Sequence, residues 1–319
     1  MSSLFSLTDA AAPDIAVEIA AGRVSAAAIE RRGGQPSIGA HAIELLPPNA
    51  LAPSLISVNT HDRAAVMTAL NRTLERVGRP RRIGLIVPDI VAKVSLVKFE
   101  KVPTSAADLD QLVRWQVRKT APFPIDEAQV SYVRGMNTPE GQEFIVSLAR
   151  RTVIQEYEGL CAEAGAHAGL VDLATFNVIN AVLASGAIPS GDWLLVNVAA
   201  DGASIAILRG PHVIFFRNRG AETEGTLADL VHQTGMYYED RLKGDGFKHV
   251  LLAGASDGAD DMRRSLQERL GITVEAVDPR RSAALTDRIS AAPAFLDTLA
   301  PLVGMLLRDA DQSAASVGA

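Results

Sequence analysis

At 319 residues, with 48% apolar and 21% charged side chains, the chain is long enough for two ordinary domains and apolar enough to bury a core in each. A net charge of −6 excludes general nucleic-acid binding, because no basic excess exists to displace phosphate counterions. A lone cysteine, Cys161, excludes an internal disulfide framework, and no basic-then-apolar leader marks the N-terminus, so a cytoplasmic protein is expected.

Residues 1–13 read as a flexible leader. From Asp14 the pattern predicts strands over 15–20 and 24–31 joined by the turn Ala21-Gly22, and a third over 38–46 that Pro47-Pro48 ends. Ala65, Val66, Ala69, Leu70, Leu74 and Val77 recur at helical spacing and predict a helix over 61–77. A strand over 82–87 stops at Pro88, and another follows over 91–99. Thr104 or Ser105 caps a helix to residue 120, with Leu109, Leu112, Val113 and Gln116 or Val117 facing inward. Ala121-Pro122-Phe123-Pro124 halts that helix. Strands over 128–134 and 143–149, a helix over 152–164, a strand over 168–173 and a helix over 174–185 come next. Cys161 falls on the helix over 152–164 and reads as a small buried hydrophobe rather than a nucleophile.

A link near 186–192 opens the second half. Strands are predicted over 193–198, 203–208 and 212–219, a helix over 223–242, a strand over 249–253, a helix over 259–270 and a strand over 273–276. A last helix over 293–307 precedes a flexible tail at 311–319. Its surrounding apolar stretch carries Asp297 and two prolines, too broken for the roughly 20 apolar residues that a bilayer span needs.

Residues 17–29 can be laid over 196–208 with one residue of slack, and each hairpin is followed by a third strand and a long helix. Repetition of that whole order points to a duplicated fold. Duplicated lobes that open with β-hairpins follow the plan of the actin and hexokinase-like superfamily. There the two hairpin turns face each other and hold nucleotide phosphates through close backbone N–H groups, and a carboxylate in each holds Mg²⁺.

The run from Trp115 through Pro122-Phe123-Pro124 to Asp126, Glu127, Val130 and Tyr132 resembles the signature of the PilM family of type IV pilus assembly proteins. The stretches 249–256 and 266–274 with Asp278-Pro279 are similar to the same family, so the resemblance extends from about residue 14 to the last helix. It implies an α/β, actin-like (ribonuclease H-like) fold of two duplicated lobes with an inserted small α/β subdomain. The implied division is a first lobe at 14–90, the insert at 91–173, a return helix and link at 174–190, and a second lobe at 191–310. It also implies the inner face of the bacterial inner membrane, self-association as in actin-like relatives, and the cytoplasmic tail of a single-span PilN-like protein as partner. FtsA and the cytoplasmic part of GspL are relatives within this plan.

Many members of that family bind ATP, and here the pattern departs from them. Glu18 with Ala20, Ala21, Gly22 and Arg23 stands where an Asp and small residues belong, Asn197 stands for the second Asp, and Ala199 for a glycine. Asp201 and Gly202 complete the second turn, and Gly254-Ala255 is a reduced glycine pair. Methyl groups obstruct backbone donors, and Asn is a weaker metal ligand than Asp. Ala21, Gly22, Arg23, Asn197, Asp201, Gly202, Gly254 and Ala255 are therefore candidates for a degenerate cofactor site, with no cofactor expected and ATP with Mg²⁺ as the alternative. No catalytic or metal-ligating set is expected.

Trp115, Pro122, Phe123 and Pro124 are the candidates for partner contact, although Trp115 and Phe123 are expected chiefly in the core of the insert. Residues 254–258 fit the G-x-S-x-G pattern, yet no histidine follows His249, so the hydrolase order cannot be completed. The six histidines are dispersed, and no Walker A or H-E-x-x-H sequence occurs. The expected function is a tail-binding scaffold. An ATP-binding actin-like switch is the alternative, and a small-molecule kinase a weaker one.

Overall fold

The computed structural model describes residues 12–32, 35–186, 190–221, 223–255, 258–286 and 292–308. Residues 1–11 of the expected leader, the tail expected at 311–319 and Ser256 of the G-x-S-x-G match lie outside these.

The first lobe opens with an antiparallel meander of β1 (Ile15–Ala20), β2 (Arg23–Arg32) and β3 (Gln35–Leu45). Helix α1 (Arg63–Arg76) returns the chain to β4 (Arg82–Val87), which lies parallel to β1. Asp62 starts α1 by accepting the Ala65 N–H at 3.0 Å, and Val66, Ala69, Leu70 and Leu74 bury its inner stripe. Strand β5 (Ala92–Phe99), helix α2 (Ala106–Arg118), and strands β6 (Ala128–Thr138) and β7 (Gly141–Arg150) then build a separate antiparallel sheet in the order β5-β7-β6. Leu109, Val113 and Val117 of α2 cover one face of that sheet against Phe144, Val146 and Leu148. Its other face sends Val94, Leu96 and Ile145 onto the core of the second lobe.

The insert expected over 91–173 is thus confined to 92–150. Helix α3 (Arg151–Glu163) buries Tyr157, Leu160 and Cys161 in the first-lobe core, and β8 (His167–Leu173) pairs parallel with β4. The reason is non-local: β8 finds its hydrogen-bond partner 85 residues back, in Arg82–Val87, not in the neighbouring sheet. Cys161 is fully buried, and burial pushes its thiol up to about 12.

Helix α4 (Ala174–Leu183) crosses to the second lobe, whose strands are β9 (Asp192–Ala199), β10 (Gly202–Arg209), β11 (His212–Gly220), β12 (His249–Ala253) and β13 (Val274–Ala276). The order β11-β10-β9-β12-β13 repeats the first lobe's β3-β2-β1-β4-β8 strand for strand. Helices α5 (Leu227–Leu242) and α6 (Ala259–Leu270) occupy the places of α1 and α3. Helix α5 begins four residues later than its periodicity predicts, because Thr226 is the residue that caps it, accepting the Asp229 N–H at 3.1 Å.

The duplication expected from the hairpins is borne out, with no slack: both turns are two residues long. Glu18 faces Ser25 across the first hairpin as Asn197 faces Ser204 across the second. The last elements correct the second-lobe boundary. Strand β14 (Ala284–Leu285) pairs with β3, and helix α7 (Pro293–Leu307) lays Leu299, Leu302, Val303, Met305 and Leu306 under the first sheet. Helix α4 does the reverse, burying Val178, Ile179 and Leu183 against Trp193 and Leu195 of the second sheet. The two exchanged helices form the layer between the lobes. Among the described residues no helix is long and apolar enough to cross a membrane.

Candidate functional site

The β1–β2 and β9–β10 turns meet across the cleft between the lobes. A Cβ placed on Gly22 would lie 4.0 Å from that of Ala200, so the two turns approach van der Waals contact. In register, Arg23 takes the place in the first hairpin that Gly202 takes in the second. Its guanidinium bonds the nearly buried Glu18 carboxylate at 2.9 Å, and Ser25 donates to the same oxygen at 3.1 Å.

A second carboxylate closes the floor. Asp89 follows β4 and accepts from the Thr175 N–H at 3.0 Å, from the Thr175 hydroxyl, and from the Ser204 hydroxyl at 2.7 Å. The amide of Asn197 donates to Thr175 Oγ1 at 2.9 Å, and that of Asn218 to the Asp89 carbonyl at 2.9 Å. Both lobes are thereby bolted through one side chain. Burial raises the Asp89 carboxyl above its ordinary range, while its hydrogen bonds oppose the rise. On the second turn, burial first, then the charges of Asp89 and Glu18, push Asp201 up to about 6.

Of the eight residues expected at a cofactor site, Gly22, Arg23, Asn197, Asp201 and Gly202 line this cleft, while Ala21, Gly254 and Ala255 are not among its lining residues. Gly254 takes φ +76°, where a side chain would strike the Val198 carbonyl, and its N–H donates to Asp297 of α7 at 3.2 Å. Sequence reasoning missed Asp89, Thr175, Ser204 and Asn218.

These residues fit a magnesium nucleotide poorly. Of the carboxylates that would serve magnesium, Glu18 and Asp89 are already bonded by internal donors, the first turn carries Arg23 paired to Glu18, and the N–H of Gly254 is taken by an internal carboxylate. A polyphosphate needs free backbone donors and a net positive field.

The other candidates lie on the insert and separate into two places. Phe123 is half-buried against the insert core and sits 6.0 Å beneath the Arg150 guanidinium. Pro122 and Pro124 beside it are exposed. Arg150 bonds Glu127 at 2.8 Å and the Ile56 carbonyl at 2.8 Å, clamping the Pro-Phe-Pro bend to a first-lobe loop. That loop is tightly held. Buried Asn59 accepts from Ser54 N–H at 3.0 Å and from the Tyr157 hydroxyl at 2.9 Å, while Glu156 accepts the N–H groups of Asn59 and Thr60. Its tip presents Ile56 and Val58, 52% and 68% exposed. Trp115, expected mainly in the insert core, is instead 61% exposed on the outer face of α2, because the buried stripe runs through 109, 113 and 117 and leaves 115 outside it.

Duplicated sheets of order 3-2-1-4-5, exchanged helices and facing hairpins define an actin-like fold. A chain in a structure described as a PilM–PilN type IV pilus biogenesis complex is similar at a TM-score of 0.79 and 17% identity, covering 93% of this chain and 98% of that one. A Bacteroides thetaiotaomicron protein with an actin-like ATPase fold and unknown function matches at a TM-score of 0.50 and 8% identity, over 86% of this chain and 94% of that one. The family model described as type IV pilus assembly protein PilM matches residues 16–241, and the chain belongs to that family.

Proposed function

We propose that this chain is a nucleotide-independent scaffold at the cytoplasmic face of a type IV pilus inner-membrane platform, holding the cytoplasmic tail of a PilN-like single-span protein. The observation that carries this reading is the clamped junction of loop and bend. Exposed apolar side chains on a loop whose flanking backbone is already hydrogen-bonded lose little freedom when a peptide covers them. Ile56, Val58 and the Pro122-Phe123-Pro124 bend are the residues assigned to the tail. The interlobe cleft serves to fix the lobes, since Glu18, Asp89, Asn197 and Ser204 are each hydrogen-bonded to neighbouring residues without a ligand.

Membership of an actin-like ATPase fold supports a second reading, an ATP-gated switch in the same machinery, and the convergent carboxylates of the cleft are its structural footing. Calorimetry with the tail peptide, with and without millimolar Mg-ATP, separates the two. The scaffold reading expects peptide binding that Mg-ATP leaves unchanged. Micromolar, magnesium-dependent nucleotide binding that alters peptide affinity would replace it with the switch.

A further inference from the structure

Helix α2 buries Leu109, Val113 and Val117, and at about 100° per residue its opposite side carries Asp108, Gln111, Trp115 and Arg118, with half-buried Arg114 on its flank and Lys119 just past the last turn. The chain as a whole is acidic, yet the C-terminal half of this face is cationic. Arg114 shares its charge with Asp110 at 2.7 Å, and Asp108 lies on the first turn. Among the described residues, Arg118 and Lys119 form no ion pair, and the Lys119 ammonium instead stands 5.9 Å from the centre of the Trp115 ring. Cations at a helix C-terminus are accounted for by the helix dipole. An indole left 61% exposed beside them is not.

We infer that this face of α2 rests on an anionic phospholipid surface. The inference builds on the tail-binding reading, which places the insert next to a bilayer. A convex helix face offers no groove to an extended peptide, whereas a lipid surface accepts it along its length. An indole is suited to the headgroup boundary, where its ring meets acyl carbon and its N–H meets ester and phosphate oxygen. Arg118, Lys119 and Arg114 lie within one helical turn of it and match lipid phosphates in charge. At about 1 kcal/mol per cation their contribution is weak but measurable in a lipid titration. It acts as the second foot of a bivalent attachment whose first foot is the tail, and so orients the scaffold rather than recruiting it.

The chain has only two tryptophans, and the other is silent in this respect: Trp193 is fully buried, with its indole N–H bonded to the Gly210 carbonyl at 2.8 Å. Fluorescence therefore reads Trp115 without a label. Full-length protein is titrated with vesicles of phosphatidylglycerol and phosphatidylcholine, with vesicles of phosphatidylcholine alone, and with oligo-glutamate peptide. The expected result is a blue shift and loss of iodide quenching with the anionic vesicles only, reversed by raising salt. Arg118→Glu with Lys119→Glu should weaken that binding by at least roughly 25-fold, at about five-fold per cation lost. Trp115→Phe should abolish the signal and leave sedimentation with vesicles reduced but measurable, and both variants should keep the parent melting temperature. No response to anionic vesicles, or a response that survives the double charge reversal, overturns the inference. A shift with oligo-glutamate while vesicles are silent would assign the face to an acidic protein instead. The assay contains no tail peptide, so its failure leaves the scaffold reading standing.

Discussion

Asp89 of the first lobe and Ser204 of the second share a hydrogen bond of 2.7 Å across the cleft, 115 positions apart in the chain. The duplication gives Ser204 a twin, Ser25, at the same register position of the other hairpin. The twins are used differently. Ser25 donates within its own hairpin to Glu18, which Arg23 already neutralises, whereas Ser204 reaches over to a carboxylate that has no cation in hydrogen-bond contact. Asp89 takes donors from both lobes, so its side chain ties the two sides of the cleft together.

Ser204→Ala should therefore loosen the lobes without unfolding either. Asp89 retains both donors of Thr175, so the loss is one interlobe hydrogen bond, about 1–3 kcal/mol. That corresponds to a drop in melting temperature of several degrees for a chain of this size. Hydrogen exchange should quicken along β4 and β10 and stay unchanged in the insert helix α2. Exchange that quickens uniformly would mean that the bond has no special part in holding the lobes together.

Asp201 makes the cleft sensitive to pH. Its folded-state value of about 6 lies above the roughly 3.9 of an unfolded Asp, so the native state holds this proton more tightly. Stability from this group is complete below about pH 4 and is lost as pH rises through 6. At pH 7.5 the ionised side chain sits buried near Asp89 and Glu18, and Asp201→Asn should be the more stable protein by up to about 3 kcal/mol. The advantage should vanish towards pH 4. Melting curves of both proteins from pH 4 to 8 check this, and a difference that does not change with pH would refute it.

Most elements were legible because their periodicity is strong and local; the helices over 259–270 and 293–307 coincide with α6 and α7. What escaped was long-range. Nothing in residues 168–173 says that they pair with β4 rather than with the adjacent insert, and nothing near Thr175 announces Asp89, 86 positions away. Two signals were present and went unused. Helical spacing alone puts residue 115 off the stripe of 109, 113 and 117, so periodicity, and not aromatic character, decides where Trp115 lies. Equal spacing of the hairpins also matches Ser25 with Ser204 and Arg23 with Gly202, a register that one residue of slack at the turn conceals.

The loop tip provides a direct test of tail binding. Ile56 and Val58 are exposed, and their loop is held by Arg150 donating to the Ile56 carbonyl, by Ser54 Oγ accepting the Ile56 N–H, and by Glu156 and Asn59 on flanking residues, not by their own side chains. Ile56→Asp with Val58→Asp should leave the melting temperature within about a degree, since surface changes away from packed groups cost under roughly 0.5 kcal/mol. Affinity for the tail peptide should fall at least tenfold, because a central apolar contact is replaced by charge. Unchanged calorimetric affinity would move the tail site elsewhere.

The crossing of α4 and α7 fixes the layer that joins the lobes, and it depends on the absence of one methyl group. Gly304 lies against the carbonyl of Asn177, so closely that a Cβ there would land on the oxygen, with the Ala181 backbone behind it. Glycine inside a helix costs about 1 kcal/mol relative to alanine, so propensity alone favours Gly304→Ala. Sterics must win. Both helices are buried, and α7 cannot move outward without lifting Leu299, Leu302, Val303 and Leu306 from the first sheet. Each of those side chains contributes about 1.5–3 kcal/mol by burial, so a partial withdrawal outweighs the gain in propensity. Gly304→Ala should lower the denaturation midpoint by an amount equivalent to at least about 3 kcal/mol, or prevent soluble expression. Gly159→Ala is the control: it lies on α3 with nothing within 4 Å of the added methyl, and should stabilise slightly. Equal effects at the two positions would show that helix propensity governs both and that the α4–α7 contact does not set the spacing of the lobes.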